Sequence, residues 1–261
     1  MTQILLREDR GAVATLTLNR PEALNALSDA MLAALKEQFR ALAGDRTIRV
    51  VVIRGAGKAF CAGHDLREMQ AARQSDDRGA AYFSDLFSRC AAVMQAIPAL
   101  PQPVIAEVHG IATAAGCQLV ASCDMAVAAH GTRFGVNGVN IGLFCSTPMV
   151  ALTRAVPRKV AFEMLTTGEF IEADRAREVG LVNRTVPPED LAAEVQKLAA
   201  VVAGKLTAAV RTGKRAFYDQ AGMGLGAAYT LTGAVMADNM MWRDTEEGVA
   251  AFLEKRAPDW A

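Results

Sequence analysis

Val50-Val51-Val52-Ile53-Arg54-Gly55 leads, two residues on, into Lys58-Ala59-Phe60-Cys61-Ala62-Gly63-His64-Asp65-Leu66, and this junction decides how the chain is read. An apolar, β-branched run without alternation suits a strand covered on both faces. A glycine-bracketed turn that then opens a helix leaves the first backbone N–H groups of that helix without acceptors, and such groups attract developing negative charge. Val104-Ile105-Ala106-Glu107-Val108 followed by Gly110-Ile111-Ala112-Thr113-Ala114-Ala115-Gly116-Cys117-Gln118 repeats the same grammar. Two such turns brought together make an oxyanion-binding pair.

Toward the N-terminus, residues 3–7 and 12–18 read as a hairpin about Gly11. Ser28 caps a helix whose Met31, Leu32, Leu35, Phe39 and Leu42 recur at helical spacing. Toward the C-terminus come a helix over 80–97 ended by Pro98, Pro101 and Pro103, and a strand at 125–128. Strands alternating with helices predict an α/β architecture. Beyond Pro148 helical periodicity dominates, with only Leu181-Val182-Asn183 reading as a strand. The division expected is a core over 1–200 and a helical oligomerisation region over 201–261, where Met236, Met240, Met241 and Trp242 are too apolar for a thin outer layer and suit packing against another subunit or, equally on pattern, an internal core.

The 261 residues carry 28 Lys and Arg against 28 Asp and Glu, so net charge argues for neither nucleic acid nor a membrane surface as partner. The five cysteines, Cys61, Cys90, Cys117, Cys123 and Cys145, are odd in number and lack metal-ligand spacing. Reduced thiols in a cytoplasmic protein are expected, with no metal. The first ten residues lack the plan of a signal peptide, and no apolar run is long enough to span a bilayer.

Within the two turns, backbone matters more than side chain. A lone histidine in a turn is more often structural, so His64 is read through its N–H. Asp65 with Glu68 matches a capping box. Thr113 reads as the cap that places Ala115 in the first turn of a helix, with Gln118 on the same face one turn on. Thr147-Pro148 reads as another helix start. Cys145 just before it is either a reactive thiol or, three times more readily, a small buried hydrophobe. Nucleophile-elbow and phosphate-loop patterns are absent.

Leu18 to Leu27 (Leu-Asn-Arg-Pro-Glu-Ala-Leu-Asn-Ala-Leu), Lys58 to Leu66, Gly110 to Gln118 with Ala121-Ser122-Cys123-Asp124, the Gly135 to Gly142 run and the ending Glu246 to Arg256 together closely resemble the crotonase (enoyl-CoA hydratase/isomerase) superfamily over essentially the whole chain. The resemblance implies a spiral of ββα units, a helical C-terminal region that forms trimers or hexamers, and an acyl thioester of coenzyme A as substrate, with no other cofactor. It implies oxyanion donors at the N–H groups of His64 and Ala115. It places Arg20, Lys58, Ala62, Asp65, Leu66 and Arg67 at coenzyme A, Lys255 there from a neighbouring subunit, and Asn140 and Cys145 in the pocket.

By the same resemblance, the two glutamates that hydratases use stand here as Gln118 and Gly138. An amide neither gives nor takes a proton near neutral pH. Three chemistries stay open beside a hydratase or isomerase route with a substitute acid or base: decarboxylation of a malonyl-type CoA, acyl-CoA binding without turnover, and thioester hydrolysis by Cys145. Glu68, Asp77 and Asp85 are candidates for a replacement base.

Overall fold

The computed structural model describes residues 3–260; Met1, Thr2 and Ala261 lie outside them. In chain order the elements are β1 (Leu5–Arg10), β2 (Val13–Leu18), α1 (Asp29–Gly44), β3 (Val50–Gly55), α2 (Leu66–Ala72), α3 (Ala80–Ala99), β4 (Val104–Val108), β5 (Ile111–Thr113), α4 (Ala115–Ser122), β6 (Met125–Ala129), β7 (Arg133–Gly135), α5 (Ser146–Ala155), α6 (Arg158–Thr167), β8 (Ile171–Glu172), α7 (Ala173–Glu178), β9 (Arg184–Val186), α8 (Leu191–Ala203), α9 (Thr207–Gln220), α10 (Leu225–Met240) and α11 (Arg243–Glu254).

The hairpin forms as expected, with Leu5 opposite Leu18 and Arg10 opposite Val13, and Gly11 at φ +58 turns its corner. From β2 onward the main sheet is parallel, in the order β1-β2-β3-β4-β6-β9. A second sheet, β5-β7-β8, takes the strand that follows β4 and the strand that follows β6. Parallel bridges Cys61↔Ala112 and Leu27↔His64 carry that second sheet's ladder into the earlier turns of chain. Each turn therefore lays one strand in the large sheet, a shorter extended piece in the small one, and then a helix. This is the ββα spiral.

The even hydrophobicity of β3 follows from its position. Val50 and Val52 face one way, with Ile105, Val127 and, from α8, Leu191, Val195 and Leu198; Val51 and Ile53 face the larger core with Leu32, Leu35, Phe39 and Ile97. Among the described residues no helix is long and apolar enough to cross a membrane.

Local details correct several expectations. α3 runs through Pro98 to Ala99, because a proline in the last turn forfeits a single hydrogen bond. Thr113 is in β5 and Ala114 is the cap of α4; a strand of three residues is too short to leave a periodic signal. Helix α5 starts at Ser146, with Cys145 as cap, so Pro148 is its third residue, where the missing N–H is still one the helix could not use. Leu181 and Val182 instead fold back on the Ala176 carbonyl at the end of α7, and the strand begins at Arg184. Glu68 does not close a box on Asp65; its Oε2 accepts from the Asp29 N–H at the start of α1, 2.8 Å away.

Helix α9 is fastened to the spiral by Lys214, whose Nζ donates to the carbonyls of Ile97 (2.9 Å) and Gln102 (2.8 Å) and to Asp124 Oδ2 (2.7 Å). The Tyr218 hydroxyl donates to Asp124 Oδ1 at 2.7 Å. Burial pushes the Lys214 ammonium down and Asp124 pulls it back. Beyond this joint, α10 has no buried residue.

Candidate active site

The two turns meet through backbone. Gly63 stands at φ +92, and a Cβ on it would lie 2.9 Å from the Ala114 Cβ and 3.3 Å from the Ala115 N. A Cβ on Gly116 would lie 2.1 Å from the Cys61 carbonyl oxygen. Cys61 N–H donates to Ile111 O (3.1 Å) and Thr113 N–H to Cys61 O (3.0 Å), which fixes the register between the turns. Ala114 N–H donates to Gly135 O at 2.9 Å, tying in the third turn. Ala114 itself is at φ 50, ψ −119, a conformation that costs an alanine on the order of 1–3 kcal/mol and delivers Ala115 as the first residue of α4. The N–H groups of His64 and Ala115 have no acceptor among the described residues. Two donors without acceptors, on turns in contact beside a helix N-terminus, have the chemistry to hold the oxygen of an enolate.

The surrounding side chains hold little negative charge. Gln118 is buried (4% exposed) and its Oε1 has no partner among the described residues. Gly138 is buried, and a Cβ there would lie 2.2 Å from Leu143 O and 2.9 Å from Cys145 Sγ, so no side chain fits. Cys145 is buried beside that space, and burial pushes its thiol up. Asn140 is exposed and its amide donates to Gly168 O (3.3 Å). Thr113 Oγ1 instead donates to Asn137 Oδ1 at 2.6 Å.

The three carboxylates considered as substitutes are committed to structure. Glu68 takes the Asp29 N–H; Asp77 takes the N–H groups of Gly79 (2.9 Å) and Ala81 (2.8 Å); Asp85 is paired with Arg89 at 2.5 Å.

Asp65 accepts from Arg67 N–H (2.9 Å) as the cap of α2 and from Arg20 Nη1 (2.7 Å). Burial alone would raise its carboxyl; Arg20 and the Arg67 N–H outweigh that and hold it below the usual carboxylate range. Ala62 N–H donates to Leu24 O at 3.0 Å. Lys58, Leu66 and Arg67 are exposed. Lys255, at φ 57 past the end of α11, is exposed on an element that packs mainly against α10. Asn25, fully buried at φ 55, binds the rim together: its Oδ1 accepts from Arg20 N–H, and its Nδ2 donates to Ala56 O and Ala59 O, both at 2.8 Å. Its role was missed in the sequence, although a lone asparagine at a break between apolar runs is a known left-handed turn former.

The family model for enoyl-CoA hydratase/isomerase matches residues 8–261. The chain belongs to this family. Its fold is the crotonase fold. A solved enoyl-CoA hydratase from Mycobacterium smegmatis superposes with a TM-score of 0.95 at 56% identity, covering 99% of both chains. Human enoyl-CoA hydratase domain-containing protein 3 superposes at 0.93 with 44% identity over 99% of this chain and 100% of that one. The Xenopus laevis protein named enoyl-CoA hydratase domain-containing protein 3, mitochondrial, is 46% identical over 98% of this chain and 85% of its own length.

A groove of about 670 Å³ starts at Gln118 and runs along α3, α4, α5 and α9, past Met94, Val150, Arg154 and Phe217. Neither His64 nor Ala115 lines it. Among the described residues no three His, Cys, Asp or Glu side chains are grouped to hold a metal.

Proposed function

We propose that this family member binds acyl-CoA thioesters and stabilises their enolates between the N–H groups of His64 and Ala115, by a route other than two-glutamate hydration. The observation that carries this reading is the pairing of two free backbone donors with a site where Gln118 is an amide and Gly138 has no room for a side chain. Each such donor is worth about 2.7–4 kcal/mol of barrier. Arg20, Lys58, Ala62, Asp65, Leu66 and Arg67 form the rim on which the nucleotide and pantetheine would lie, with Lys255 supplied across a subunit boundary; Lys58 and Arg67 are exposed cations suited to phosphate. Titration calorimetry with butyryl-CoA tests the binding, with micromolar affinity expected, and no detectable heat would overturn it. Crotonyl-CoA should be hydrated far more slowly than by an enzyme with both glutamates.

The lack of an uncommitted carboxylate favours, as a second reading, decarboxylation of a malonyl-type CoA, in which carbon dioxide leaves and the electron pair passes to the thioester oxygen without a base. Methylmalonyl-CoA that releases no carbon dioxide above background removes it. Turnover of neither substrate class would leave an acyl-CoA-binding protein.

The unburied faces of α10 and α11, with Tyr229, Met236, Phe252 and Leu253 exposed, support a trimer or hexamer of this chain. Five unpaired cysteines suit the reducing cytoplasm, whereas the vertebrate relatives are named mitochondrial.

A further inference from the structure

The proposed oxyanion site needs a group that moves a proton, and one titratable side chain of the site has no structural work. Glu68, Asp77 and Asp85 are bonded to helix starts or to Arg89, Asp65 to Arg20, and Cys145 is a buried thiol. His64 differs from all of these. Both of its ring nitrogens are buried and have no hydrogen-bond partner among the described residues. The ring stands edge-on to Phe87 of α3 with centroids 5.7 Å apart. The Leu27 backbone lies beside it in the bridge to the same turn.

Leaving a polar ring buried and unpaired destabilises the fold, and native structures retain such a group where a ligand completes the bonding. Phenylalanine or leucine would fill the same space against Phe87 without that destabilisation. The position also matters: the residue whose N–H holds the thioester oxygen carries the imidazole on the same Cα. Within one residue the ring nitrogens reach only a few ångström from the backbone N, and the thioester α-carbon is two bonds from the oxygen that N–H holds.

We infer that the His64 imidazole is the general base that takes the α-proton of the bound acyl thioester, while its own backbone N–H and that of Ala115 hold the enolate oxygen. This rests on the acyl-CoA reading above. In the step, the α-C–H bond breaks, its electron pair enters the carbon–carbon bond of the enolate, the carbonyl π pair moves to oxygen, and the proton forms an N–H bond on the imidazole. The reverse transfer, to the same or a conjugated carbon, restores the neutral ring, so no further reactant is consumed. The class of substrate favoured is one with an acidified α-proton, such as a 3-enoyl-CoA.

Burial pushes the His64 pKa down and Arg89 of α3 does the same to a smaller degree, while the neighbouring Leu27 backbone and Asp29 of α1 oppose it; Phe87 is uncharged. The ring is therefore the neutral, proton-accepting form at neutral pH, as a base must be.

The test is deuterium incorporation from heavy water at the α-carbon of but-3-enoyl-CoA, followed by mass spectrometry, alongside calorimetric binding of butyryl-CoA. Wild type should exchange, at a rate that stays level from neutral pH to below the ordinary histidine range. His64→Gln and His64→Ala keep the backbone N–H; they should bind butyryl-CoA within a few-fold of wild type and exchange about 100-fold or more slowly. Free imidazole should restore part of the His64→Ala rate, which a merely structural role would not produce. Wild type that binds without exchange, or variants that exchange at the wild-type rate, would overturn the assignment. Absence of butyryl-CoA binding in wild type would instead remove the acyl-CoA reading and the His64 role with it.

Discussion

The spiral and the C-terminal helices solve burial in opposite ways. In the spiral, β3 and β4 are covered on both faces, and the apolar residues of α1 that recur at helical spacing are all within it. In α10 and α11, Leu225 is 76% exposed, Met241, just past α10, 84% and Phe252 82%. The first region buries most of its hydrophobic pattern within one chain; the second leaves large apolar side chains exposed. The site follows the first region, because every donor that defines it comes from the spiral, and the joint between the regions is built around the buried Lys214–Asp124 pair, with Tyr218 on the same carboxylate and Arg211 on the carbonyls of Asp45 and Ile48.

That contrast can be broken most severely at the joint. Asp124→Ala leaves the Lys214 ammonium buried beside two carbonyls without its counter-charge, and should cost about 3–5 kcal/mol in denaturant unfolding. A loss below about 1 kcal/mol would show that the helices do not depend on it. Within the spiral, Gly138→Glu forces a side chain into Leu143 O and Cys145 Sγ and should cost about 1–3 kcal/mol; Gln118→Glu at the other position should not restore hydration of crotonyl-CoA by itself. Asp65→Asn should cost about 1 kcal/mol at neutral pH. Its sign with pH is set by the depressed carboxyl: the wild-type advantage is complete above about pH 4, the unfolded carboxylate range, and disappears as pH falls through the lower folded-state value. The smallest effect on the fold is expected at Phe252→Asp, within about 0.5 kcal/mol for the dissociated chain. Sedimentation should nevertheless show a lower mass, and the unfolding midpoint should lose its dependence on protein concentration.

What was legible in the sequence follows physical range. Ser28 as a cap, the helical stripe from Met31 to Leu42 and the β-branched run from Val50 depend on neighbours a few residues away, and all were correctly read. The capping box fails because the Glu68 carboxylate accepts from the Asp29 N–H, 39 residues distant, in place of the local Asp65 N–H. Thr113 looked like a cap because threonine often is one; its hydroxyl went to Asn137 once β5 paired with β7. The commitment of Asp77 and Asp85, the crowding at Gly138 and the unpaired ring of His64 are properties of surroundings assembled from distant segments, and no local pattern encodes them.

The close approach of Gly116 to the Cys61 carbonyl has a wider consequence. The spacing of the two N–H donors is set by main chain resting on main chain, with no rotamer in between. Such a gauge has no adjustable part: it does not drift as neighbouring side chains are exchanged. Descent can therefore replace acids by amides, or a carboxylate by an imidazole, around a receptor for oxygen that keeps its calibration, provided that one hydrogen atom at residue 116 never grows into a methyl group.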